Sequence, residues 1–392
     1  MNFWATLPRP IIGLSPMDGV TDASFRHVVA IQGKPDVSFT EFTHVHDVCR
    51  GPEFLLDSLI YDEIERPIVA QLYGKDPDLF YQAAHAVCAL GFDGLDINMG
   101  CPSRNVASSG SGAGLIRTPD LARTIIQATR QGIDDWVGGQ SMESAGIKPA
   151  RAEAIHRMNQ RRGSMPGKRR SIPVSVKTRL GYDEVIVEHW VEHLITEHPC
   201  AISLHGRTLQ QMYRGQADWE AIARAAQVVK GTGILLFGNG DVQNLTEVVQ
   251  RVRETRVDGV LIGRGALGAP WLFREKERAR LHLHQDTPMV AESSVLPLSE
   301  RFQVLLEHAR HFEHVHGVSQ FRRMRKHLGW YCTGFPHAAA LRASMFRLSS
   351  VAGVEQVLLD YRVNHTSDTS TVPIKTSLDP EEALTLPVSR CG

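Results

Sequence analysis

Eight short apolar segments, separated by longer segments with helical periodicity, constrain the fold of this chain more than any other feature. Such runs are typical of strands buried on both faces, and their alternation with helices predicts parallel strands joined by helical crossovers. Eight strands before residue 263 favour an α/β fold of the closed (β/α)8 TIM-barrel type over an open doubly wound sheet. The predicted strands are 11–15, 36–41, 67–72, 94–98, 173–178, 201–205, 234–237 and 259–262, and the predicted helices between them include 79–90, 121–132, 185–196, 219–229 and 245–253.

The pattern changes after residue 280, where only helical periodicity continues. This predicts a barrel domain over 1–290 and a small all-helical domain over 296–363. The tail, 364–392, is rich in Thr, Ser and Pro, and we expect little order there. The predicted helices of the second domain are 298–316, 320–331, 338–348 and 354–361.

One connection within the barrel is too long to be a simple loop. Residues 134–171 contain a Gly-rich piece and then a basic piece, which makes an RNA-binding loop one interpretation. However, the segment leaves a helix and enters the fifth strand, so it should emerge at the N-terminal face, away from the active mouth. A solvated, partly disordered insertion is therefore the preferred interpretation.

The overall charge and the cysteine pattern exclude several classes of protein. The chain has 43 basic and 43 acidic residues, so a nucleic acid must be held by local patches. There is no apolar run long enough for a membrane span and no signal-peptide pattern at the start. Six widely spaced cysteines suit a reducing compartment. We expect a cytoplasmic protein that does not bind membranes and is a monomer.

The fourth strand ends in an isolated thiol. The segment from Asp96 to Ser103 runs from a buried strand into a Gly-Cys-Pro-Ser corner, which puts Cys101 at the C-terminal end of a barrel strand. Chemistry in such barrels takes place at that end. Cys101 has no CxxC partner and no metal-ligand spacing, so it is a candidate acid, base or nucleophile. A buried structural cysteine is the alternative, which fits Cys88 better.

Glycine-rich loops follow the last two strands. Gly238-Asn239-Gly240-Asp241 and Gly263-Arg264-Gly265 can bring backbone N–H groups close to a phosphate, and Arg264 can add positive charge. We therefore expect one phosphate of a cofactor here. The match of 263–268 to GxGxxG is discounted, because no βαβ unit follows it.

Lys177 lies at the end of the fifth strand and needs an anionic partner if it is buried. A flavin that carries negative charge when reduced is one such partner, and a salt bridge to Asp96 is the other. Gln71 and Asn98 offer amide groups suited to the edge of a heteroaromatic ring. His205 can donate to a ligand, although a lone histidine is more often structural.

Taken together, these strand ends closely resemble the tRNA-dihydrouridine synthase family, flavoenzymes that reduce uridine in tRNA. The matching segments are 16–22, 96–103, Lys177, 205–208, 239–241 and 263–265, and they cover nearly the whole barrel. The helical segment 321–327 with Trp330 and Tyr331 also resembles the tRNA-binding domain of that family. Departures from the family pattern are the 134–171 insertion, the tail beyond 364 and the Gly/Ser-rich stretch 108–114.

The resemblance implies an oxidoreductase with FMN at the barrel mouth and NADPH as the reductant. It implies FMN contacts from Pro16, Met17, Asp18, Gln71, Lys177, His205, Asn239, Gly240, Asp241, Gly263 and Arg264. Hydride would pass to C6 of uracil while Cys101 protonates C5. A thiol suits this role, since it is mostly protonated at neutral pH.

The implied partner is tRNA, whose target base must leave its stack to reach the mouth. The second domain has nine Lys/Arg and five Asp/Glu between 298 and 365, which is a local excess of basic residues. We expect Arg322 and Arg325, with Lys326 as a further candidate, to face phosphates, and Asn98 and Arg179 to contact substrate. The modified uridine position and the preference for NADPH over NADH are not determined by the sequence.

Two other functions stay open at this point. One is an FMN barrel reductase that acts on a free pyrimidine, which would not need the helical domain. The other is a tRNA-binding protein without catalysis, against which Cys101, Lys177 and the phosphate loops argue. His308, His311, His314 and His316 are interpreted as surface histidines, so no metal site is expected.

Overall fold

The computed structural model describes residues 2–163, 168–283 and 296–365. Its centre is a single parallel sheet with the strand order β2-β1-β9-β8-β7-β6-β5-β4-β3, and a further pairing of β2 with β4 closes it into a barrel. The predicted TIM barrel is therefore confirmed. The strands are β1 Ile11–Leu14, β2 Ser38–Phe39, β3 Thr43–His44, β4 Ile68–Tyr73, β5 Gly94–Met99, β6 Val174–Arg179, β7 Ala201–His205, β8 Leu235–Asn239 and β9 Gly259–Ile262.

Helices surround the barrel and form the C-terminal region. None of the helices within the described ranges is long and apolar enough to cross a membrane. They are α1 Ala23–Gln32, α2 Val45–Arg50, α3 Pro77–Leu90, α4 Arg104–Ser108, α5 Pro119–Val137, α6 Pro149–Arg162, α7 Val187–Ile195, α8 Trp219–Val229, α9 Leu245–Thr255, α10 Lys276–Leu283, α11 Leu298–His316, α12 Arg325–Tyr331, α13 Ala338–Met345 and α14 Val351–Asn364.

The second barrel position differs from the prediction of one strand over 36–41. It consists of two short strands, β2 and β3, which both pair with β4. The residues between them, which include Glu41, interrupt the ladder. Such an interruption re-aims side chains beside a site.

The insertion is more ordered than the sequence suggested. Helix α6 lies within it, ends at Gly163 in a left-handed conformation and buries Ala152, Ala154 and Ile155. Asn159 of α6 donates a 2.8 Å hydrogen bond to the carbonyl of Ala89 at the end of α3. The expectation of a solvated insertion is therefore wrong for 149–162, while 164–167 lie outside the described residues.

The C-terminal helices form a core of their own against α1. Phe302, Phe312 and Leu328 are in this core, and Val28 of α1 and Trp271 join it from the barrel side. The predicted helix over 320–331 is in fact a 3-10 helix, Val318–Met324, followed by α12. The junction of the two predicted domains, 284–295, and most of the tail, 366–392, lie outside the described residues.

Candidate active site

The inner wall of the barrel changes from apolar to polar toward the C-terminal ends of the strands. At the N-terminal end Trp4 packs with Val69, Phe237 and other inward-facing apolar side chains. Alternate residues of a strand share one face, so the next inward positions carry the polar groups. The strand register sets Gln71 opposite Asp96, Asn98 opposite Lys177, Arg179 opposite His205, and His205 opposite Asn239.

A chain of hydrogen bonds crosses three neighbouring strands beneath the mouth. Ser175 Oγ donates to Asp96 Oδ1 at 2.6 Å, and Gln71 Nε2 donates to Asp96 Oδ2 at 2.7 Å. Asn98 Nδ2 donates in turn to Gln71 Oε1 at 2.9 Å. Burial raises the pKa of Asp96 to about 6, although both hydrogen bonds and the charge of Lys177 oppose that shift. Each amide is thereby held in one orientation.

Asn98 also fixes the path of the loop that carries Cys101. Its Oδ1 accepts hydrogen bonds from the backbone nitrogens of Gly100, at 3.0 Å, and Cys101, at 2.8 Å. Cys101 is 6% exposed, and a Cβ atom on Gly112 would lie 3.1 Å from the Cβ of Cys101. Gly112, at φ 56°, allows the following loop to close over Cys101.

Arg179 holds the same loop from the other side. Its Nε donates to the carbonyl of Gly100 at 2.6 Å, and its Nη1 donates to the carbonyl of Thr208 at 2.9 Å. The sequence predicted a substrate contact for Arg179. The observed bonds join the loops after β5 and β7, a role that nothing in the local sequence indicates, and the substrate contact stays a prediction.

The mouth is strongly cationic. Burial, assisted by the charge of Arg179, lowers the pKa of Lys177 to about 8. Burial also lowers the pKa of His205 well below its ordinary value, and four basic neighbours add to that effect: Arg179, Lys177, Arg207 and Arg264. Among the described residues Lys177 has no hydrogen bond or ion pair, so the alternative salt bridge to Asp96 is not formed. The arrangement suits an anionic ligand.

Asp241 organises the last two phosphate-type loops. Its Oδ2 accepts from Arg207 Nη2 at 2.6 Å and from the backbone nitrogen of Ala217 at 2.7 Å, while its Oδ1 accepts from Arg264 Nη2 at 2.8 Å. The hydrogen bond and charge of Arg207 hold its pKa below the usual value, against the effect of burial. Asp241 therefore orients two arginines.

Small residues leave room beside these arginines. Gly240 has a φ of 135°, and a Cβ there would lie 2.7 Å from the Cβ of Ala217. A Cβ on Gly263 would lie 3.3 Å from Met17 Sδ. Asn239 supports the loop from below, because its Nδ2 donates to the carbonyl of Leu261 at 2.8 Å.

The loop after β1 forms the opposite rim. Thr21 Oγ1 lies 3.0 Å from the Met17 nitrogen and ties the loop into a turn. Pro16 and Met17 are partly buried, whereas Asp18 is exposed. Lys326 of α12 donates to the carbonyl of Gly19, so the helical domain contacts this rim directly.

Glu41 is a rim residue that sequence reasoning missed. It is buried, and burial together with the negative charges of Asp22 and Asp18 raises its pKa to about 7. Arg323 is close enough to act on the same carboxyl in the opposite direction. The sequence feature that could have identified Glu41 was its carboxylate at the end of the predicted strand 36–41.

The structure shows contacts of the basic residues of the helical domain that the sequence did not predict. Arg322 is exposed, as a phosphate contact requires. Arg325 instead donates to the carbonyls of Leu348, at 2.7 Å, and Arg347, at 3.2 Å. Lys326 and Arg323 lie on the side that faces the barrel rim.

The interpretation of the histidines as surface residues is wrong in part. His308 is fully buried and His311 and His316 are half-buried, whereas His314 is exposed. All four histidines lie on α11, which packs against α1. Their spacing along the sequence did not show that one face of this helix is buried.

The sequence is similar to known proteins over most of its length. A family model described as dihydrouridine synthase matches residues 13–138 and 164–366, and the unmatched 139–163 lie within the predicted insertion. A probable tRNA-dihydrouridine synthase of Staphylococcus aureus (strain MRSA252) is 31% identical over 372 residues, which cover 94% of this chain and 98% of that protein. Probable tRNA-dihydrouridine synthase 2 of Bacillus subtilis (strain 168) is 35% identical and covers 82% of this chain and 90% of its own length. The crystal structure of TcOYE with pHBA has a TM-score of 0.42 and 12% identity, over 70% of this chain and 89% of that one.

Proposed function

The chain belongs to the dihydrouridine synthase family of oxidoreductases, and on that basis we propose that it reduces specific uridines in tRNA to 5,6-dihydrouridine. The proposal includes FMN as the bound cofactor, NADPH as the reductant and Cys101 as the proton donor. One observation carries the proposal. Hydrogen bonds with Asn98 and Arg179 hold the Cys101 loop in place, and Lys177 nearby has no hydrogen bond or ion pair among the described residues.

The residues at the mouth fit the phosphate of a flavin mononucleotide. Gly240 and Gly263 leave space that side chains would fill, and Arg264 lies beside them on Asp241. Arg207 Nη1 is buried and has no hydrogen-bond partner among the described residues, so it is a donor still to be satisfied. A buried donor of this kind favours an anion.

The ring of the cofactor would lie toward Lys177 and Gln71. The residues proposed to hold FMN are Pro16, Met17, Asp18, Gln71, Lys177, His205, Asn239, Gly240, Asp241, Gly263 and Arg264, with Asn239 and Asp241 acting through the loops they support. FMN held by these residues would supply, for transfer to C6 of uracil, the hydride that NADPH would provide. Lys177 offers a positive charge to the anionic form of such a ring.

Cys101 completes the reduction. Saturating the C5=C6 bond takes a hydride at C6 and a proton at C5, and the thiol gives up that proton and becomes a thiolate. Lys177 and Arg179 are near enough for their charges to interact with Cys101, so both favour the thiolate. Solvent then returns the proton. General-acid catalysis of this kind contributes roughly 100- to 10,000-fold.

The helical domain is proposed to hold the tRNA. A flipped-out base can reach the mouth only if the rest of the tRNA is gripped nearby. Arg322 and Arg323 are exposed, and Arg323 lies on the rim side with Lys326. Asn98 and Arg179 would shape the base pocket mainly through the Cys101 loop. We further propose a monomer that acts in the cytoplasm.

The test compares purified Cys101→Ala with wild-type protein on unmodified tRNA. We expect the variant to keep its bound flavin, measured by absorbance, and its oxidation of NADPH. Dihydrouridine formation, measured by mass spectrometry, should fall by at least about 100-fold. Cys200→Ala, at the N-terminal end of β7, is the matched control and should behave as wild type.

Two outcomes would overturn the proposal. A Cys101→Ala enzyme that forms dihydrouridine at the wild-type rate removes the proton-donor role. Reduction of free uridine without any reduction of tRNA would identify a small-molecule reductase instead.

A further inference from the structure

Two histidines and an aspartate from three separate elements meet between the barrel and the helical domain. Asp22 is the N-cap of α1, His308 lies on α11 and His327 lies on α12. Their exposed fractions are 3%, 0% and 1%. None of the three takes part in the chemistry proposed above, so their burial needs another explanation.

Each of the three side chains offers one ligand-type atom to the same small space. These atoms all lie within 4.8 Å of one another. His327 Nε2 is 3.8 Å from Asp22 Oδ2, which is too long for a hydrogen bond. Nε2 of His308 and both ring nitrogens of His327 are buried and have no hydrogen-bond partner among the described residues. Buried polar atoms are rarely left unsatisfied in this way.

Hydrogen bonds fix the orientation of two of the three groups, His308 and Asp22. His308 Nδ1 is 3.2 Å from the hydroxyl of Tyr331, which leaves its Nε2 toward the centre. Asp22 Oδ1 accepts from the backbone nitrogen of Phe25 at 2.9 Å, which leaves Oδ2. The ring of Phe25 packs against both imidazoles, at centroid distances of 5.8 and 5.3 Å. A metal-bound histidine usually has its second nitrogen held by a hydrogen-bond partner, as Tyr331 holds Nδ1 of His308.

We propose that Asp22, His308 and His327 bind one divalent transition-metal ion, with Zn²⁺ the best match, that fastens the helical domain to the barrel. Two imidazoles and a carboxylate form a donor set that Zn²⁺ accepts, with water as a fourth ligand. Ligand atoms at about 2.0–2.2 Å from one ion lie farther apart than hydrogen-bonded atoms, as His327 Nε2 and Asp22 Oδ2 do at 3.8 Å.

Nearby charges act in both directions. Lys326 and Arg323 are close to His327 and disfavour a cation. Asp22 carries the opposite charge and is itself one of the proposed ligands. The neighbouring Glu41 adds negative charge only when it is ionised, because its pKa is raised to about 7. The competing occupant is a single buried water bound to the same three atoms, which needs no ion.

A second group, His27, Asp62 and His311, lies along the same interface but carries a weaker argument. The rings of His27 and His311 stack at 3.7 Å with an interplanar angle of 11°, which explains their proximity without an ion. Asp62 is half exposed and caps a 3-10 turn. A substitution in this group therefore serves as a control for substitutions of His308 and His327.

The test measures metal in the full-length protein, stripped with a chelator and then dialysed against Zn²⁺. We expect one tightly bound ion per chain by elemental analysis. H308Q and H327Q should retain little or none, while H27Q and the exposed-site control H314Q should retain it. X-ray absorption of the wild-type protein should show nitrogen and oxygen ligands at about 2.0–2.2 Å, including two imidazoles.

The wild-type measurements stand even if H308Q or H327Q fails to fold. A wild-type protein that retains no Zn²⁺ after dialysis overturns the proposal and assigns the centre to water. Loss of the ion in H27Q but not in H308Q would also overturn it, because the ion would then belong to the second group.

Discussion

The side-chain oxygen of Asn98 accepts a hydrogen bond from the backbone nitrogen of Cys101 at 2.8 Å. The residue that ends the strand therefore sets the path of the loop that carries the thiol. Because Asn98 is itself oriented through Gln71 by the buried Asp96, the position of Cys101 depends on three strands.

Asn98→Ala should slow uridine reduction while leaving Cys101 chemically intact. Without the acceptor the loop can shift, and a displacement of about 1 Å at the reacting group costs on the order of 100-fold in rate. The measurement is single-turnover formation of dihydrouridine at saturating tRNA. Asn159→Ala, which removes a buried amide from α6 far from the mouth, is the control and should change stability but not rate. A wild-type rate in Asn98→Ala would contradict the positioning role.

Lys177→Met should stabilise the protein without its cofactor and weaken flavin binding. The folded protein lowers the pKa of Lys177 from 10.5 to about 8, so the protonated form is disfavoured by folding. This penalty is full below pH 8 and disappears as the pH rises from about 8 to 10.5, because only the unfolded chain then still holds the proton. The free energy of unfolding should rise in Lys177→Met by roughly 3 kcal/mol at pH 7 and by about 1 kcal/mol at pH 9.5.

Urea unfolding of the apoprotein at both pH values checks this prediction. Lys230→Met, at an exposed position after α8, is the control and should change stability by less than about 0.5 kcal/mol at either pH. Equal stabilisation by Lys177→Met at pH 7 and 9.5 would show that the gain is not electrostatic.

Asp241→Ala should cost about 3 kcal/mol of stability, because it leaves Arg207 buried without its charge partner. Asp218→Ala removes an aspartate that caps α8 on the neighbouring loop and should cost about 1 kcal/mol. Thermal unfolding of both variants gives the comparison. A smaller effect at Asp241 than at Asp218 would mean that the arginines are already satisfied elsewhere.

Arg322→Ala and Arg325→Ala should fail in different ways. Arg322 is exposed, so its loss should weaken tRNA binding and reduce the slope of log affinity against log salt by about 1, with little change in stability. Arg325 is bonded to two carbonyls, so its loss should cost roughly 1–3 kcal/mol of stability. Filter binding at several salt concentrations, together with thermal unfolding, separates the two. The reverse pattern would restore the prediction that Arg325 faces phosphate.

Much of the barrel follows from local patterns. The seventh and eighth predicted strands, 234–237 and 259–262, lie within one or two residues of β8 and β9, since short apolar runs between turn residues have few other uses. The second strand was harder, because its interruption between β2 and β3 is decided by pairing with β4. Helix α6 was missed for a related reason: its polar, basic composition hides a face that is buried when the helix packs against α3.

The sequence by itself determined the order of elements and which residue types end each strand, including Cys101, Lys177 and the glycine loops. Those are properties of neighbours along the chain. Only the tertiary structure decided that Arg179 and Arg325 bond to backbone carbonyls, that Asp241 joins two arginines, and that His308 is buried beside Asp22 and His327. Each of these depends on groups far apart in sequence, whose distances are set by how helices and strands pack and not by local spacing.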